Sequence, residues 1–118
     1  ILLDMVGASN PRFTMEEISM SVAPTLMRKV WKLGQGMGYN AYFVNEKTKP
    51  IIDDHLFINR LTRIPTIDII NKPADTETGF TKCWHTQCDD MSSIDKRTLR
   101  AVGQTVLATT YRENNGTL

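Results

Sequence analysis

The apolar residues of the chain fall into short runs whose spacing predicts strands that alternate with helices. Residues 1–6 form an apolar run that contains one aspartate and stops at Gly7, which is typical of a buried strand in a parallel sheet. Residues 66–70 are apolar and β-branched and predict a second interior strand. Residues 41–44 predict a shorter strand, followed by a polar turn over 47–50.

Helical spacing occurs between these strands. Apolar positions over residues 21–33 recur at intervals of three and four, and Pro24 is compatible with that helix only in its first turn. Residues 54–61 predict a short helix, with Asp54 as its N-cap and Pro65 just beyond its end. Strands that alternate with helices indicate an α/β fold.

The connecting segments differ in length. Residues 7–13 predict a loop from their glycine, asparagine and proline content, and residues 71–82 predict a long polar loop, which in a compact domain is usually functional. The last helix is expected to begin after Asp95 as N-cap and to continue to about Tyr111. Residues 114–118 are a polar tail, expected to fray.

Composition narrows the possible functions. The chain has 118 residues, enough for one domain, and its 14 basic and 13 acidic residues give a net charge of +1 with no concentration of one sign. A nucleic-acid or anionic membrane surface would need a basic face, so neither partner is expected. No apolar run approaches the length of a membrane span. Two cysteines make no disulfide framework and leave the redox compartment open.

The strands are few for the fold class. The chain opens inside a strand, and only three or four strands can be found, whereas a sheet buried on both faces normally needs more. We therefore expect the N-terminal half of the domain to be absent from this sequence.

Two groups of acids stand out. Asp4 lies in an apolar strand near its carboxyl end, where ligands bind in open α/β sheets, so it is either a site residue or a carboxylate bonded to a loop. Asp53, Asp54 and His55 lie together between two apolar pairs. They can provide a helix cap and one inward-facing acid, or only a cap and a packed histidine.

A third candidate is His85, which follows Trp84 at the end of the long loop. The pattern Cys83-x-His85-x-x-Cys88 could form a soft zinc site, but it offers three ligands at a spacing that matches no standard structural zinc motif. Residues 115–117 match a glycosylation acceptor, which in a frayed tail is incidental.

The order of these motifs carries a family resemblance. ILLDMVGASNPRF, then IIDDHLFINRLTRIPTIDII, then FTKCWHT and a closing helix resemble the zinc aminopeptidase and glutaminyl cyclase superfamily over residues 1–113, most closely the bacterial branch of animal-type glutaminyl cyclases. The resemblance implies part of a mostly parallel mixed sheet flanked by helices, of the zinc-exopeptidase (phosphorylase/hydrolase-like) type. Ile52 departs from the family pattern, because animal cyclases often have a polar residue at this position. Substrate contacts at Ile52 are therefore expected to differ from those of animal cyclases.

Roles for individual residues follow only from that resemblance. His85 matches a ligand of the catalytic zinc, and Asp4 matches a ligand of the second zinc in two-zinc aminopeptidases or a member of a hydrogen-bond network in one-zinc cyclases. Asp53 matches the cyclase acid that supports proton transfer. Trp84 and Phe80 match walls of the glutamine pocket. The other ligands and the general acid/base are expected upstream.

The resemblance implies a glutaminyl-peptide cyclotransferase that acts on peptide N-termini with one zinc ion. The alternatives are a two-zinc aminopeptidase and a non-catalytic fragment or interaction module. The 118 residues alone are expected to be inactive, to bind zinc weakly and to self-associate through the exposed edge of the truncated sheet. The bacterial branch implies a periplasmic or secreted protein.

Overall fold

The structure, a computed structural model, describes all 118 residues and contains four strands and four helices. The strands are β1 (Leu2–Asp4), β2 (Phe13–Glu16), β3 (Phe43–Thr48) and β4 (Asp68–Ile70), and the helices are α1 (Glu17–Val22), α2 (Pro24–Gly34), α3 (Asp54–Thr62) and α4 (Lys96–Asn114). A π-helical turn, Gln35–Tyr39, follows α2, and a 3₁₀ turn, Met91–Ser93, precedes α4. None of the helices combines the length and the apolar character that crossing a bilayer requires.

The strands form two parallel pairs. β1 pairs with β4, with Leu2 opposite Asp68 and Asp4 opposite Ile70, and β2 pairs with β3. A single antiparallel bridge between Phe13 and Asn71 connects the two pairs. All three residues of β4 are buried, as expected for an apolar strand with neighbours on both faces. The predicted α/β class with parallel strands and flanking helices is confirmed.

Aromatic residues from several elements meet in the core. Trp31 of α2 packs edge-on against Phe43 of β3, with ring centroids 5.3 Å apart, and Phe13 of β2 lies 5.3 Å from the same ring. The Trp31 indole donates a hydrogen bond of 3.1 Å to the carbonyl of Val44. Gly34 is required at the end of α2, since a Cβ there would lie 2.8 Å from the Phe43 ring. The helix is thereby fixed on the β2–β3 pair.

Several predicted boundaries were wrong. The polar turn expected over residues 47–50 is instead partly strand, because β3 continues to Thr48. Residues 13–22 form β2 and α1, although the pattern predicts no strand there and no helix before residue 21. The alternation of apolar and polar side chains in β2 is only four residues long, which is too short for periodicity to reveal the strand.

Of the two predicted N-caps, the one of α3 was wrong and the one of α4 is confirmed. Asp53, not Asp54, is the N-cap of α3, since its carboxylate accepts a 2.7 Å hydrogen bond from the Asp54 amide. Asp95 is the N-cap of α4, as predicted, and accepts from the Arg97 amide at 2.8 Å. That helix ends at Asn114, three residues beyond the predicted end.

Candidate active site

A cleft of about 640 Å³ opens at the carboxyl end of β1. Asp4 and the β1–β2 loop line one side, and the segment that follows β4 lines the other. The lining residues from that segment include Thr81, Lys82 and Cys83. The cleft therefore lies where ligands bind in open α/β sheets, outside the carboxyl ends of parallel strands.

Two carboxyl groups meet beside this cleft. Asp4 is half-buried at the end of β1, and Asp53 is brought next to it as the N-cap of α3. Burial raises the pKa of Asp4 above its usual range, and the neighbouring charge of Asp53 raises it further. One Asp53 oxygen is engaged by the Asp54 amide, while Oδ2 is buried without a partner. Close like charges disfavour ionisation, so the Asp53 carboxyl is one cause of the raised pKa of Asp4.

Asp54 and Ile52, which flank Asp53, face solvent. Asp54 is exposed in the first turn of α3, and Ile52 is 79% exposed. The charge of Asp53 raises the pKa of Asp4 more than does the charge of Asp54, which also contributes.

Beneath the acid pair lies a buried triad of Glu16, His55 and Asp68, all inaccessible to solvent. His55 Nε2 is 3.1 Å from Glu16 Oε1, and His55 Nδ1 is 3.8 Å from Asp68 Oδ2. Glu16 also caps α1, where its carboxylate accepts hydrogen bonds from the amides of Ser19 and Ile18. The triad joins β2, α3 and β4, and so anchors the start of α3, the turn that presents Asp53.

Asp68 is the least satisfied member of the triad. Both of its carboxyl oxygens are buried without a hydrogen-bond partner. Burial, followed by the charges of Asp53, Asp4 and Glu16, raises the pKa of Asp68 to about 8. Asp68 therefore holds its proton at neutral pH, which avoids a further negative charge beside the acid pair.

Sequence reasoning missed this triad. His55 was considered as a packed histidine, and Glu16 and Asp68 were not singled out. The available signal was a charged residue within an apolar or alternating strand, the same anomaly that identified Asp4.

The aromatic residues and His85 form a separate stack. The Phe80 and Trp84 rings lie 4.7 Å apart, and the His85 ring stacks on Trp84 at 4.0 Å. The Lys72 ammonium lies 3.9 Å from the centroid of the Phe80 ring. His85 is exposed and has a left-handed backbone, with φ of 57°. Its imidazole is therefore accessible on a loop whose conformation is unusual for a residue other than glycine.

Cys83 and Cys88 form a disulfide across this loop. The soft zinc site considered for Cys83, His85 and Cys88 is therefore wrong, because both sulfurs are bonded to each other and neither is available as a thiolate ligand.

The structure brings the predicted residues together in two sets. Asp4 and Asp53 are neighbours, and Phe80, Trp84 and His85 form one stack. The cleft connects Asp4 with the loop that carries His85 through Lys82 and Cys83, although the His85 side chain is not among the lining residues.

Zinc is the metal that the donor types fit. The exposed imidazole of His85 is a nitrogen donor, and the carboxyl group of Asp4 is an oxygen donor beside the unpartnered Asp53 Oδ2. Zinc binds donors of both kinds. No three His, Cys, Asp or Glu side chains of the chain are arranged to hold a metal ion. Since zinc sites usually have at least three protein ligands, these residues fit part of a site.

Comparison with known proteins agrees with this arrangement. Residues 1–110 match the sequence model of Peptidase family M28. The chain is 34% identical over 109 residues to a glutaminyl-peptide cyclotransferase of Dictyostelium discoideum, an alignment that covers 84% of this chain and 27% of that protein.

Solved structures extend the comparison. A glutaminyl cyclase of Bacteroides thetaiotaomicron, crystallised with N-acetylhistamine, is 54% identical with a TM-score of 0.89, covering 93% of this chain and 37% of that one. A leucine aminopeptidase precursor from the same organism is 52% identical with a TM-score of 0.86, covering 93% and 36%. The chain thus spans little more than a third of these structures.

Proposed function

This chain belongs to Peptidase family M28, and we propose that it forms the C-terminal part of the catalytic domain of a glutaminyl-peptide cyclotransferase. The proposed domain part covers residues 1–113, with 114–118 as a tail. The observation that carries the proposal is the adjacent carboxyl pair, Asp4 and Asp53, of which Asp4 lines a cleft that residues 81–83 also line.

Cyclisation of an N-terminal glutamine moves one proton from the attacking nitrogen to the departing nitrogen and consumes none overall. The α-amine of an N-terminal glutamine attacks its own side-chain carbonyl carbon, a carbon–nitrogen bond forms, and the bond to the side-chain nitrogen breaks. The attacking nitrogen gives up a proton and the departing nitrogen gains one, so that pyroglutamate and ammonia leave. A pair of close carboxyl groups suits this exchange, because one group can accept the proton while the other returns one to the departing nitrogen.

The aromatic stack has a positioning role in this proposal. The nucleophile and electrophile belong to the same residue, so catalysis depends strongly on holding the glutamine side chain folded back onto its amine. Phe80 and Trp84, whose rings lie 4.7 Å apart, provide an aromatic wall for that purpose.

His85 is assigned as a ligand of one zinc ion, with the remaining ligands outside this chain. When bound, zinc supplies Lewis-acid polarisation of the side-chain carbonyl. Accessibility and freedom from hydrogen bonds support His85 in this role.

The test uses the complete protein that contains this chain, a Gln-initiated peptide, and detection of released ammonia. We expect cyclisation, and we expect Asp53→Asn to lower kcat by about 100-fold, the lower range for loss of an acid–base group. Asp54→Asn is the matched control, since that neighbouring carboxyl is exposed, and should change kcat little. Equal effects of the two variants, or no ammonia from the parent protein, would contradict the proposal.

A two-zinc aminopeptidase is the second candidate, favoured by the similarity to the leucine aminopeptidase precursor. In that case Asp4 binds the second metal ion, and the reaction is hydrolysis of the first peptide bond. Release of free amino acid from a Leu-initiated peptide, together with two zinc ions per protein, would favour this candidate over the cyclase.

The remainder of the domain is the proposed partner of the apolar surface around β1 and α3. Leu3 is 43% exposed, and on or just beyond α3 Leu61 is 82% and Ile64 61% exposed. Water contact with this much apolar surface favours association. The isolated 118 residues should therefore be inactive and self-associate, and a monomer by light scattering at high concentration would argue against this.

An exported location is also proposed. The Cys83–Cys88 disulfide supports it, since disulfides persist mainly in oxidising compartments such as the periplasm or the cell exterior.

A further inference from the structure

The segment of residues 74–94, here called the histidine loop, is held to the rest of the molecule by few polar contacts. Each of its hydrogen bonds joins two residues within the loop, as between the Trp84 amide and the Thr81 carbonyl or the Thr86 amide and the Cys83 carbonyl. The first backbone hydrogen bond beyond it that reaches another element runs from the Asp95 amide to the Gly7 carbonyl. Segments held in this way open locally at low cost.

Within this loop the Cys83–Cys88 disulfide closes a ring of six residues that contains His85. Cys83 lies on the cleft wall, and Cys88 is exposed. The Thr86 hydroxyl donates a 2.8 Å hydrogen bond to the Cys83 carbonyl and lies 3.1 Å from Cys88 Sγ, which fills the ring. His85 thus occupies its left-handed conformation inside a covalent ring, one end of which is the cleft wall.

We infer that the Cys83–Cys88 disulfide is a positioning element for His85. It restricts the loop beside the cleft, so that the imidazole is ready to bind its metal ion. The inference rests on the proposed function, because it takes His85 as a zinc ligand.

The physical reason is conformational entropy. A six-residue segment that is free to sample open conformations must be ordered when its histidine binds a metal, and this ordering weakens binding. A covalent ring removes most of those conformations beforehand. The rest of the loop offers no hydrogen bond to the strands or helices that could take over this role.

A disulfide that merely stabilises the protein predicts something different. In that case its removal lowers the thermal midpoint but leaves zinc affinity per folded molecule unchanged. Zinc affinity is therefore the quantity that separates positioning from stabilisation, and it does not depend on catalytic activity.

The experiment uses the complete protein and its Cys83→Ser/Cys88→Ser double variant. Zinc affinity is measured by competition with a chromophoric chelator, and the thermal midpoint is measured alongside. Serine replaces thiol because free cysteines could themselves bind zinc. We expect about 10-fold weaker zinc binding in the variant, the lower range for loss of an element that orients a ligand.

A second arm tests the bond without a mutation. A phosphine reduces the disulfide to two thiols, with water supplying the two protons and the oxygen that converts the phosphine to its oxide. The thiols are then capped with iodoacetamide and the phosphine is removed before titration. The capped protein should match the double variant, and the same treatment of the double variant should change nothing.

The outcomes are distinguishable. Zinc affinity within twofold of the parent in both arms, or capping of Cys83 and Cys88 without prior reduction, overturns the inference and leaves the proposed function standing. A protein that binds zinc with the expected dependence on the disulfide but does not cyclise Gln-peptides retains the inference and overturns the proposed function. A protein that does not bind zinc overturns both.

Discussion

The acid pair and the histidine loop supply the two sides of one candidate site, yet they are held by different forces. Asp4 and Asp53 lie at the ends of β1 and α3, and the buried triad beneath them joins three elements through side chains that no water reaches. His85 lies on a loop held by local turns, ring stacking and a disulfide. The first side is coupled to global folding, whereas the second can change without unfolding the domain.

One cleft thus combines side chains that are fixed by the core with side chains that are carried by an accessible loop. The buried triad that supports the acid pair is kept from water by the core, at a cost in unsatisfied polar atoms of His55 and Asp68. A metal ligand and an aromatic wall need access to solvent and substrate, which a loop permits.

The largest expected effect is on stability, from His55→Ala in the complete protein. The variant leaves a buried Glu16 oxygen without its histidine partner and opens a cavity, so the free energy of unfolding should fall by about 2–4 kcal/mol. His85→Ala is the matched control, because an exposed ring on the loop should change the same quantity by less than about 0.5 kcal/mol. Denaturant unfolding that gives similar losses for both variants would remove the distinction between the two sides.

The next effect is on the pH dependence of stability, through Asp68. Between about pH 4 and pH 8 the unfolded chain ionises this residue while the folded protein retains the proton, so its contribution to stability falls as pH rises across that interval. Asp68→Asn cannot ionise and should gain more than about 1.4 kcal/mol over the parent at pH 8, the value of one pKa unit. At pH 4 the gain should vanish.

Unfolding curves at both pH values measure this difference, and Asp54→Asn is the control at an exposed carboxyl. A parent protein and an Asp68→Asn variant that share one pH profile would mean that Asp68 is ionised in the folded state.

The smallest effect is on substrate binding, from Phe80→Leu on the loop side. Loss of the aromatic face against Trp84 should raise KM for a Gln-peptide by about three- to tenfold, the value of one stacking contact, with kcat little changed. Steady-state kinetics check this, and thermal unfolding should show almost no shift. A fall in kcat at constant KM would place Phe80 elsewhere in the reaction.

Much of the architecture could be predicted from local pattern. β1 and β4 were evident as apolar runs, and the start of α4 followed from Asp95, because apolar patterning and amide capping act over a few residues. Only β4 is buried as expected, since Leu3 of β1 is 43% exposed. The candidate residues Asp4, Asp53 and His85 were reached through local anomalies and a family resemblance, and their catalytic roles stay predictions.

Sequence alone thus determined the α/β class, the two apolar strands, the principal helices and the family, since each depends on neighbouring side chains or on the order of motifs. Tertiary structure alone decided that Glu16, His55 and Asp68 meet, that β2 pairs with β3, and that Cys83 is bonded to Cys88. The first two depend on which elements the fold places side by side, and the disulfide depends on the conformation of one loop, which brings the two sulfurs together. A carboxylate in an apolar strand becomes intelligible only when the buried partner from a distant segment is known.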